Sequence, residues 1–162
     1  MAASAHHVAL RVSDIDRAAR FYIDALDARM AVLPFATEGV LAETIMHGPP
    51  GVSFITCMLR LADGHLELFQ FTAPATPMEP LHASRGNLLH FAVRVDDVGA
   101  TIARIESSGG RRLWPEIEPW GTAQTMYAAD QDGNVIELTN TSMDEIVALT
   151  HRMFPQTVPG TD

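Results

Sequence analysis

The feature that most constrains the fold of this chain is an internal repeat. Residues 6–25 read HHVALRVSDIDRAARFYIDA and residues 88–107 read LLHFAVRVDDVGATIARIES. With His7 set on His90, four further positions hold identical residues in both copies: Ala9 and Ala92, Arg11 and Arg94, Val12 and Val95, Asp14 and Asp97. A repeat of this length indicates one supersecondary unit that occurs twice.

Each copy has the pattern of a strand that turns through an aspartate into a helix. Further on, each copy is followed by an apolar strand with one carboxylate in its middle: HLELFQF with Glu67, and NVIELTN with Glu137. The repeated unit is therefore a strand, a helix and then strands that carry a glutamate. This predicts an α+β fold with two tandem modules.

The composition restricts the classes of partner. The chain has 162 residues and a formal net charge of −9 at pH 7, which argues against nucleic acid and anionic membrane as partners. Its single cysteine, Cys57, forms no intrachain disulfide and is compatible with a reducing cytoplasm. We see no secretory signal in the opening MAASAHH and no apolar run of the roughly 18 residues that a membrane span needs. We therefore expect a cytoplasmic protein.

The first module is predicted to cover residues 1–72. Val8, Leu10 and Val12 alternate with His7, Ala9 and Arg11, so the apolar triplet should pack on the following helix and His7 should face the other side of the sheet. Asp14 is the predicted N-cap of that helix. Strands are predicted at 29–36, 52–61 and 65–72, with a hairpin turn at Asp63-Gly64; residues 37–51 are expected to form a long loop or a loop with a short strand.

The second module is predicted to cover residues 88–141, after a proline-rich linker at 73–87. Its helix should run from about Val98 to Ser107. Short strands are expected at 111–114, 122–129 and 134–140, with a loop at 115–121 and a turn at 132–133. The rest, residues 142–162, should be an amphipathic helix at 143–153 and a tail.

Four residues of this pattern have side chains that can bind a metal: His7, Glu67, His90 and Glu137. By strand parity all four lie on the sheet face away from the helices. A buried carboxylate is costly unless it is paired, protonated or bound to a metal, and imidazoles with carboxylates suit a divalent Zn, Ni, Co, Mn or Fe(II) ion. Each residue also has an ordinary role, as a strand-end histidine, a glutamate on a solvated face or a hydrogen-bonded core histidine.

These residues resemble the vicinal oxygen chelate superfamily, which contains glyoxalases, bleomycin resistance proteins and extradiol dioxygenases. The likeness lies in the two strand–helix openings and in the closing hairpin DQDGNVIELTN. It implies two βαββ(β) modules whose sheets form a curled, open mixed barrel around a metal, with the helices outside. It also places the metal ligands on His7, Glu67, His90 and Glu137, and implies a homodimer.

Within the superfamily, the second half is most similar to methylmalonyl-CoA epimerase, and the first half departs from it. That family typically carries an acidic residue just before a Gly-Val, whereas residues 47–52 read HGPPGV here. The two-base mechanism of an epimerase therefore lacks one expected carboxylate.

The resemblance implies an enzyme in which a metal chelates adjacent substrate oxygens and stabilises an enolate. We expect an isomerase, epimerase or lyase that acts on a carbonyl-bearing small molecule, with Glu137 or Glu67 moving the proton. Glu43 or His47 would supply a second acid or base if residues 37–51 cover the cavity. The side chains expected to line the substrate cavity are aromatic: Phe69, Phe71, Trp120 and Tyr127.

Three alternatives stay open. One is a resistance protein that sequesters an antibiotic or metabolite without turnover. Another is an Fe(II) ring-cleaving dioxygenase, although that chemistry typically uses two histidines and one carboxylate. The third is a structural or regulatory domain, because a fold alone does not fix a function. The sequence also leaves open whether each site lies within one chain or between two copies.

Overall fold

The computed structural model describes residues 5–75, 88–120, 123–155 and 159. The first half of the chain forms a four-stranded sheet in the order β1-β4-β3-β2. Its strands and helices are β1 Val8–Arg11, α1 Ile15–Leu26, β2 Arg29–Thr37, α2 Gly39–Met46, β3 Ser53–Leu61 and β4 Gly64–Ala73. β1 pairs with β4 in parallel, and the other neighbours are antiparallel.

The second half forms a five-stranded sheet in the order β5-β9-β8-β6, with β7 paired to β8. Its elements are β5 Phe91–Arg94, α3 Val98–Ser107, β6 Arg111–Arg112, β7 Glu118–Trp120, β8 Ala123–Ala129, β9 Val135–Thr139 and α4 Met143–Met153. Here the parallel pair is β5 with β9. The repeat in the sequence is therefore a repeat of topology, and the two open sheets confirm the predicted α+β class.

The two helices that open the modules begin in the same way. The Asp14 carboxylate accepts a 2.9 Å hydrogen bond from the Arg17 N–H, and the Asp97 carboxylate accepts a 2.8 Å bond from the Ala100 N–H. An aspartate at the N-cap satisfies a backbone donor that the first helical turn leaves free. The prediction of Asp14 as an N-cap is confirmed.

The larger of two hydrophobic clusters among the described residues joins the two halves. α1 packs against α3, and the cluster around them contains side chains from both sheets. Tyr22, Leu66, Ile105 and Leu138 are among the fully buried members. The faces of the sheets that point toward the helices are therefore covered, which leaves the opposite faces for a site.

The structure corrects three local predictions. Residues 39–46, within the stretch expected to be a loop, form helix α2. Residues 118–120, also expected to be a loop, form strand β7 along β8. The strand expected at 111–114 has only two residues, Arg111 and Arg112, and the Leu113 N–H donates one further bond of 2.8 Å to the Tyr127 carbonyl of β8.

The other predicted strands and helices are confirmed with bounds that shift by one or two residues. The division into modules and linker stays a prediction, since residues 76–87 lie outside the described part of the chain. Most of the tail beyond 155 lies outside it as well. Among the described residues, no helix is both long enough and apolar enough to span a membrane.

Candidate functional site: two histidine–glutamate pairs

The His7 and Glu67 side chains form a close pair on the first sheet. His7 precedes β1, and its Nε2 lies 3.3 Å from Oε2 of Glu67 on β4. The parallel register of β1 and β4 places Ala9 beside Glu67, and His7 lies two residues before Ala9. Because alternate residues of a strand share a face, the His7 and Glu67 side chains project from the same face, opposite α1 and α3. Leu66 and Leu68, the neighbours of Glu67, are buried on the helix side. The predicted orientation of Glu67 is confirmed.

His90 and Glu137 form the matching pair on the second sheet. Their Nε2 and Oε2 atoms lie 2.8 Å apart, and β5 and β9 pair with Ala92 beside Glu137. The two pairs therefore occupy equivalent positions in the repeat, down to the alanine opposite each glutamate. This uncovered face of each sheet, on which the pair lies, is called the site face below.

Both pairs are open to solvent in part. The His7 and Glu67 side chains are 40% and 16% exposed, and those of His90 and Glu137 are 33% and 19% exposed. A ligand or ion can therefore reach them, while the carboxylates are buried enough to need a partner.

The structure does not bring the two pairs together within one chain. Among the described residues, no three side chains of histidine, cysteine, aspartate or glutamate are placed to hold one metal ion. Each pair offers one imidazole and one carboxylate, which is half of a four-ligand set. The donor types fit a divalent first-row metal, and the four ligands predicted from the sequence comprise both pairs.

Tyr127, which the sequence analysis predicts to line the substrate cavity, lies beside the second pair. Its backbone pairs with Glu137, and its ring packs edge-on against His90 at 5.2 Å and against Trp114 at 4.6 Å. Burial raises the pKa of Tyr127, and the charge of Glu137 acts in the same direction. The phenol therefore stays protonated at neutral pH and is available as a donor at this pair.

Phe69 and Phe71 lie on the site face of the first sheet, in line with Glu67. They pack with Phe54, whose ring centroid is 5.1 Å from that of Phe69 and 6.1 Å from that of Phe71. Ala42 and Met46 of α2 close over this aromatic group. Phe69 is 8% exposed and Phe71 is half-buried, so Phe71 is the more accessible to a ligand.

The segment expected to be a loop forms helix α2, which packs over the aromatic group of the first site face and leaves His7 and Glu67 accessible. Glu43, a candidate second acid or base, accepts a 2.8 Å hydrogen bond from the Gly51 N–H. His47 ends α2 with a left-handed backbone, at φ 48. Glu43 thus connects α2 to the turn that follows it. The side chain of Trp120, the remaining aromatic candidate, is outside what the structure describes.

The sequence interpretation missed a small cavity beyond the first pair. It has a volume of about 260 Å³ on the site face, and Arg11 and Phe71 contribute to its walls. Strand parity already placed Arg11 on the same sheet face as His7, so the sequence contained evidence that Arg11 lies on the site face. The walls from α2 could not be found because α2 itself was not predicted.

A second cavity, of about 550 Å³, lies between the two modules and contains neither pair. Its walls carry charges of both signs, among them Asp27, Asp63 and Arg104. We therefore place the candidate site at the pairs and not in this cleft.

Comparison with known proteins agrees with the repeat and the fold. The chain is 28% identical over 146 residues to 2-epi-5-epi-valiolone epimerase from Actinomyces sp., which covers 86% of this chain and 80% of that protein. A glyoxalase family protein from Bacillus cereus superposes with a TM-score of 0.73 at 17% identity, over 83% of this chain and 91% of that one.

A mutant of the fosfomycin resistance protein FosX from Listeria monocytogenes, solved with Mn(II) and 1S,2S-dihydroxypropylphosphonic acid, superposes with a TM-score of 0.61. Its identity to this chain is 14%, and the match covers 94% of this chain and 99% of that one. At these identities the two structures show the fold alone. Residues 4–138 match the family model described as Glyoxalase/Bleomycin resistance protein/Dioxygenase superfamily. The chain therefore belongs to the glyoxalase/bleomycin resistance protein/dioxygenase superfamily.

Proposed function

We propose that this protein is a metal-dependent isomerase, epimerase or lyase that acts on a carbonyl-bearing small molecule. His7, Glu67, His90 and Glu137 are the proposed ligands of one divalent ion per site. The single observation that carries the proposal is the recurrence of one histidine–glutamate pair at equivalent positions of both sheets. A structural domain has no need of two such matched pairs on uncovered faces.

The ligand set is completed by a second copy of the chain in this proposal. Each chain holds its two pairs apart, so the first pair of one copy would face the second pair of the other. The first site face supports this, because Val32 and Phe35 pair with Met58 and Thr56 and are 38% and 47% exposed. Apolar side chains exposed around half a polar site are typical of a surface that another subunit covers.

A bound divalent metal supplies Lewis-acid polarisation of a substrate oxygen, which acidifies the neighbouring C–H. Glu67 and Glu137 would offset the charge of the ion, and His7 and His90 would hold it with their imidazoles. Glu67 or Glu137 then accepts the proton from the substrate carbon and returns it. Tyr127, kept protonated beside Glu137, donates a hydrogen bond that steadies this carboxylate or a substrate oxygen.

The test is the metal content of untagged protein, measured by mass spectrometry. We expect about one divalent ion per chain in the wild type, and loss of most of it in both His7→Ala and His90→Ala. His151→Ala, on α4, is the matched control and should keep its metal.

A wild type that takes up no Zn, Ni, Co, Mn or Fe(II), and is not thermally stabilised by any of them, would exclude the metalloenzyme. The favoured function would then be that of a protein that sequesters a ligand without turnover. Bound iron with oxygen-dependent turnover of catechols would instead identify a ring-cleaving dioxygenase.

A further inference from the structure

The repeat creates two junctions between the modules, and polar side chains close the first of them. At this junction the hairpin between β8 and β9 reaches the end of β1 and the start of α1. Asp132 accepts hydrogen bonds from the Ser13 N–H at 3.2 Å and from Arg17 at 3.0 Å. The Asn134 side chain donates to the Arg11 carbonyl at 3.1 Å. The hairpin therefore covers the free edge of β1.

The second junction, where the hairpin between β3 and β4 faces β5 and the start of α3, has different side chains. Counted from the glutamate of each module, Asp132 corresponds to Ala62 and Asn134 corresponds to Gly64. The hairpin of the first module thus has neither the carboxylate nor the amide that closes the first junction. A cleft of about 550 Å³ remains open between this hairpin and β5. The cleft lies where the side chains of the repeat differ.

The floor of the cleft is aliphatic. Four partly buried side chains at the margin of the larger hydrophobic cluster line it: Leu26, Leu61, Val93 and Val95. Sites for small molecules typically have volumes of roughly 300–1,000 Å³, are mostly apolar and lie often at junctions between domains. The cleft therefore has the size and the surface to hold an apolar body of moderate size.

The wall that β5 forms presents backbone groups to the cleft. The Val95 N–H donates to the Thr139 carbonyl at 2.8 Å, directly after the pairing of β5 with β9. Because the N–H and C=O groups of successive strand residues point to opposite edges, those of Ala92 and Arg94 point away from β9. Both residues line the cleft. Their carbonyl groups are therefore placed to accept hydrogen bonds from a ligand.

The charged side chains around the cleft are negative on balance. The described ones are four aspartates and two arginines: Asp27, Asp63, Asp96, Asp97, Arg94 and Arg104. Arg104 pairs with Asp27 at 3.4 Å, and Asp97 caps α3. Asp63 and Asp96 are exposed, and within the described part of the chain neither has an ion-pair or hydrogen-bond partner. Two carboxylates beside an apolar floor favour a ligand that carries a positive charge.

We propose that this cleft binds a small molecule with an ammonium or amidinium group on an apolar body, at a site separate from the histidine–glutamate pairs. The apolar body covers the aliphatic floor. The cationic group lies between Asp63 and Asp96, and its N–H donors bond to these carboxylates and to the free carbonyls of β5. The proposal is independent of the proposed function, since none of the four proposed metal ligands is among the described residues that line the cleft.

Titration of metal-free protein with benzamidine and with neutral benzamide, which has nearly the same shape, tests the proposal. We expect benzamidine to bind roughly fivefold more tightly, the ratio that partly exposed ion pairs supply. Asp63→Asn together with Asp96→Asn should remove this preference. Asp24→Asn, at an exposed aspartate of α1 outside the cleft, should keep it. Arg94→Gln should tighten benzamidine binding and leave benzamide binding unchanged, because it removes a like charge.

The methyl groups of the floor give a readout that needs no variant. In protein labelled at the leucine and valine methyls, benzamidine should move the Leu61 and Val95 resonances and leave that of Leu33, which is exposed on β2. Ala62→Phe, on the exposed hairpin, should fill the cleft and weaken both probes. Equal affinities for the two probes, unmoved Leu61 and Val95 signals, or binding that Ala62→Phe leaves unchanged would overturn the proposal.

Discussion

The phenolic oxygen of Tyr22 donates a 2.7 Å hydrogen bond to Oδ2 of Asp130, from the first helix of the first module to the closing hairpin of the second. Both side chains are buried. The same carboxylate accepts bonds from the Asn134 backbone and side chain, and Asn134 in turn donates to the carbonyl of Arg11 at 3.1 Å. The relative position of the two modules is thus fixed by a polar link inside the core as well as by the packing of α1 on α3.

Replacement of Tyr22 by phenylalanine should destabilise the protein through this link. It removes a buried donor to a charged acceptor, which costs about 1.5–3 kcal/mol. For a domain of this size the melting temperature should fall by roughly 3–10 °C, measurable by calorimetry. Tyr127→Phe, at the partly exposed tyrosine, is the control. Equal melting temperatures for wild type and Tyr22→Phe would show that the link does not contribute.

Gly110 marks a close approach between the two modules. A Cβ at this position would lie 2.7 Å from the carbonyl oxygen of Ala129 and 2.8 Å from atoms of both Ile105 and Phe21. Gly110→Ala should therefore cost about 1–3 kcal/mol by overpacking. Gly64→Ala is the matched control, since nothing lies within 4 Å of its added Cβ. Urea unfolding curves of the two variants should separate clearly, and superimposable curves would contradict the steric explanation.

The stability of helix α4 should depend on pH through the ionisation of Glu145. Hydrogen bonds from the Ser142 backbone and hydroxyl, and from Thr141, lower the pKa of Glu145 to about 2. A folded-state pKa below the unfolded value gives stability that is present above about pH 4.5 and is lost as the pH falls toward 2. Amide exchange in α4 should be faster in Glu145→Gln than in wild type at pH 6. The two should converge as the pH approaches 2, and a difference that persists there would rule out this titration.

Cys57 should resist alkylation in the folded protein. The thiol is fully buried, and desolvation raises its pKa to about 11, so the reactive thiolate is scarce at pH 8. Iodoacetamide should modify Cys57 in denaturant and leave it unmodified in the native protein over the same time, as measured by intact mass. Rapid native labelling would mean that the strand opens far more readily than its burial indicates.

A shared site predicts complementation between two inactive variants. When a His7→Ala chain is paired with a His90→Ala chain, one of the two metal sites proposed for the dimer keeps all four ligands, and the other lacks both histidines. We expect each variant alone to lose its metal and the purified mixed dimer to hold about half the wild-type content per chain. Sites built within single chains would give no recovery, because neither chain then holds a complete set.

The repeat and strand parity were enough to predict the sheet faces, because alternation in 6–12 and in HLELFQF leaves one orientation for Glu67 and its neighbours. Helix α2 escaped prediction for a physical reason. Its N-cap, Glu38, makes no side-chain capping bond, and only Ala42 is buried, so the segment lacks both a start signal and an apolar stripe. Strand β7 escaped because Pro119 lies within it, and proline is typical of a sheet edge. The separation of the pairs depends on how α1 packs on α3, which no local pattern encodes.

The repeat reproduces the histidine–glutamate pair but not the walls around it. Beside the first pair stand α2 and its aromatic cluster, whereas beside the second stand Tyr127 and Trp114. A planar carbonyl compound held between two such halves would meet unlike surfaces on its two sides. The two sides of the compound would not be equivalent, although in the proposed site each sheet would give the ion the same pair of side chains. The handedness of any product would then depend on these walls, which differ between the two modules.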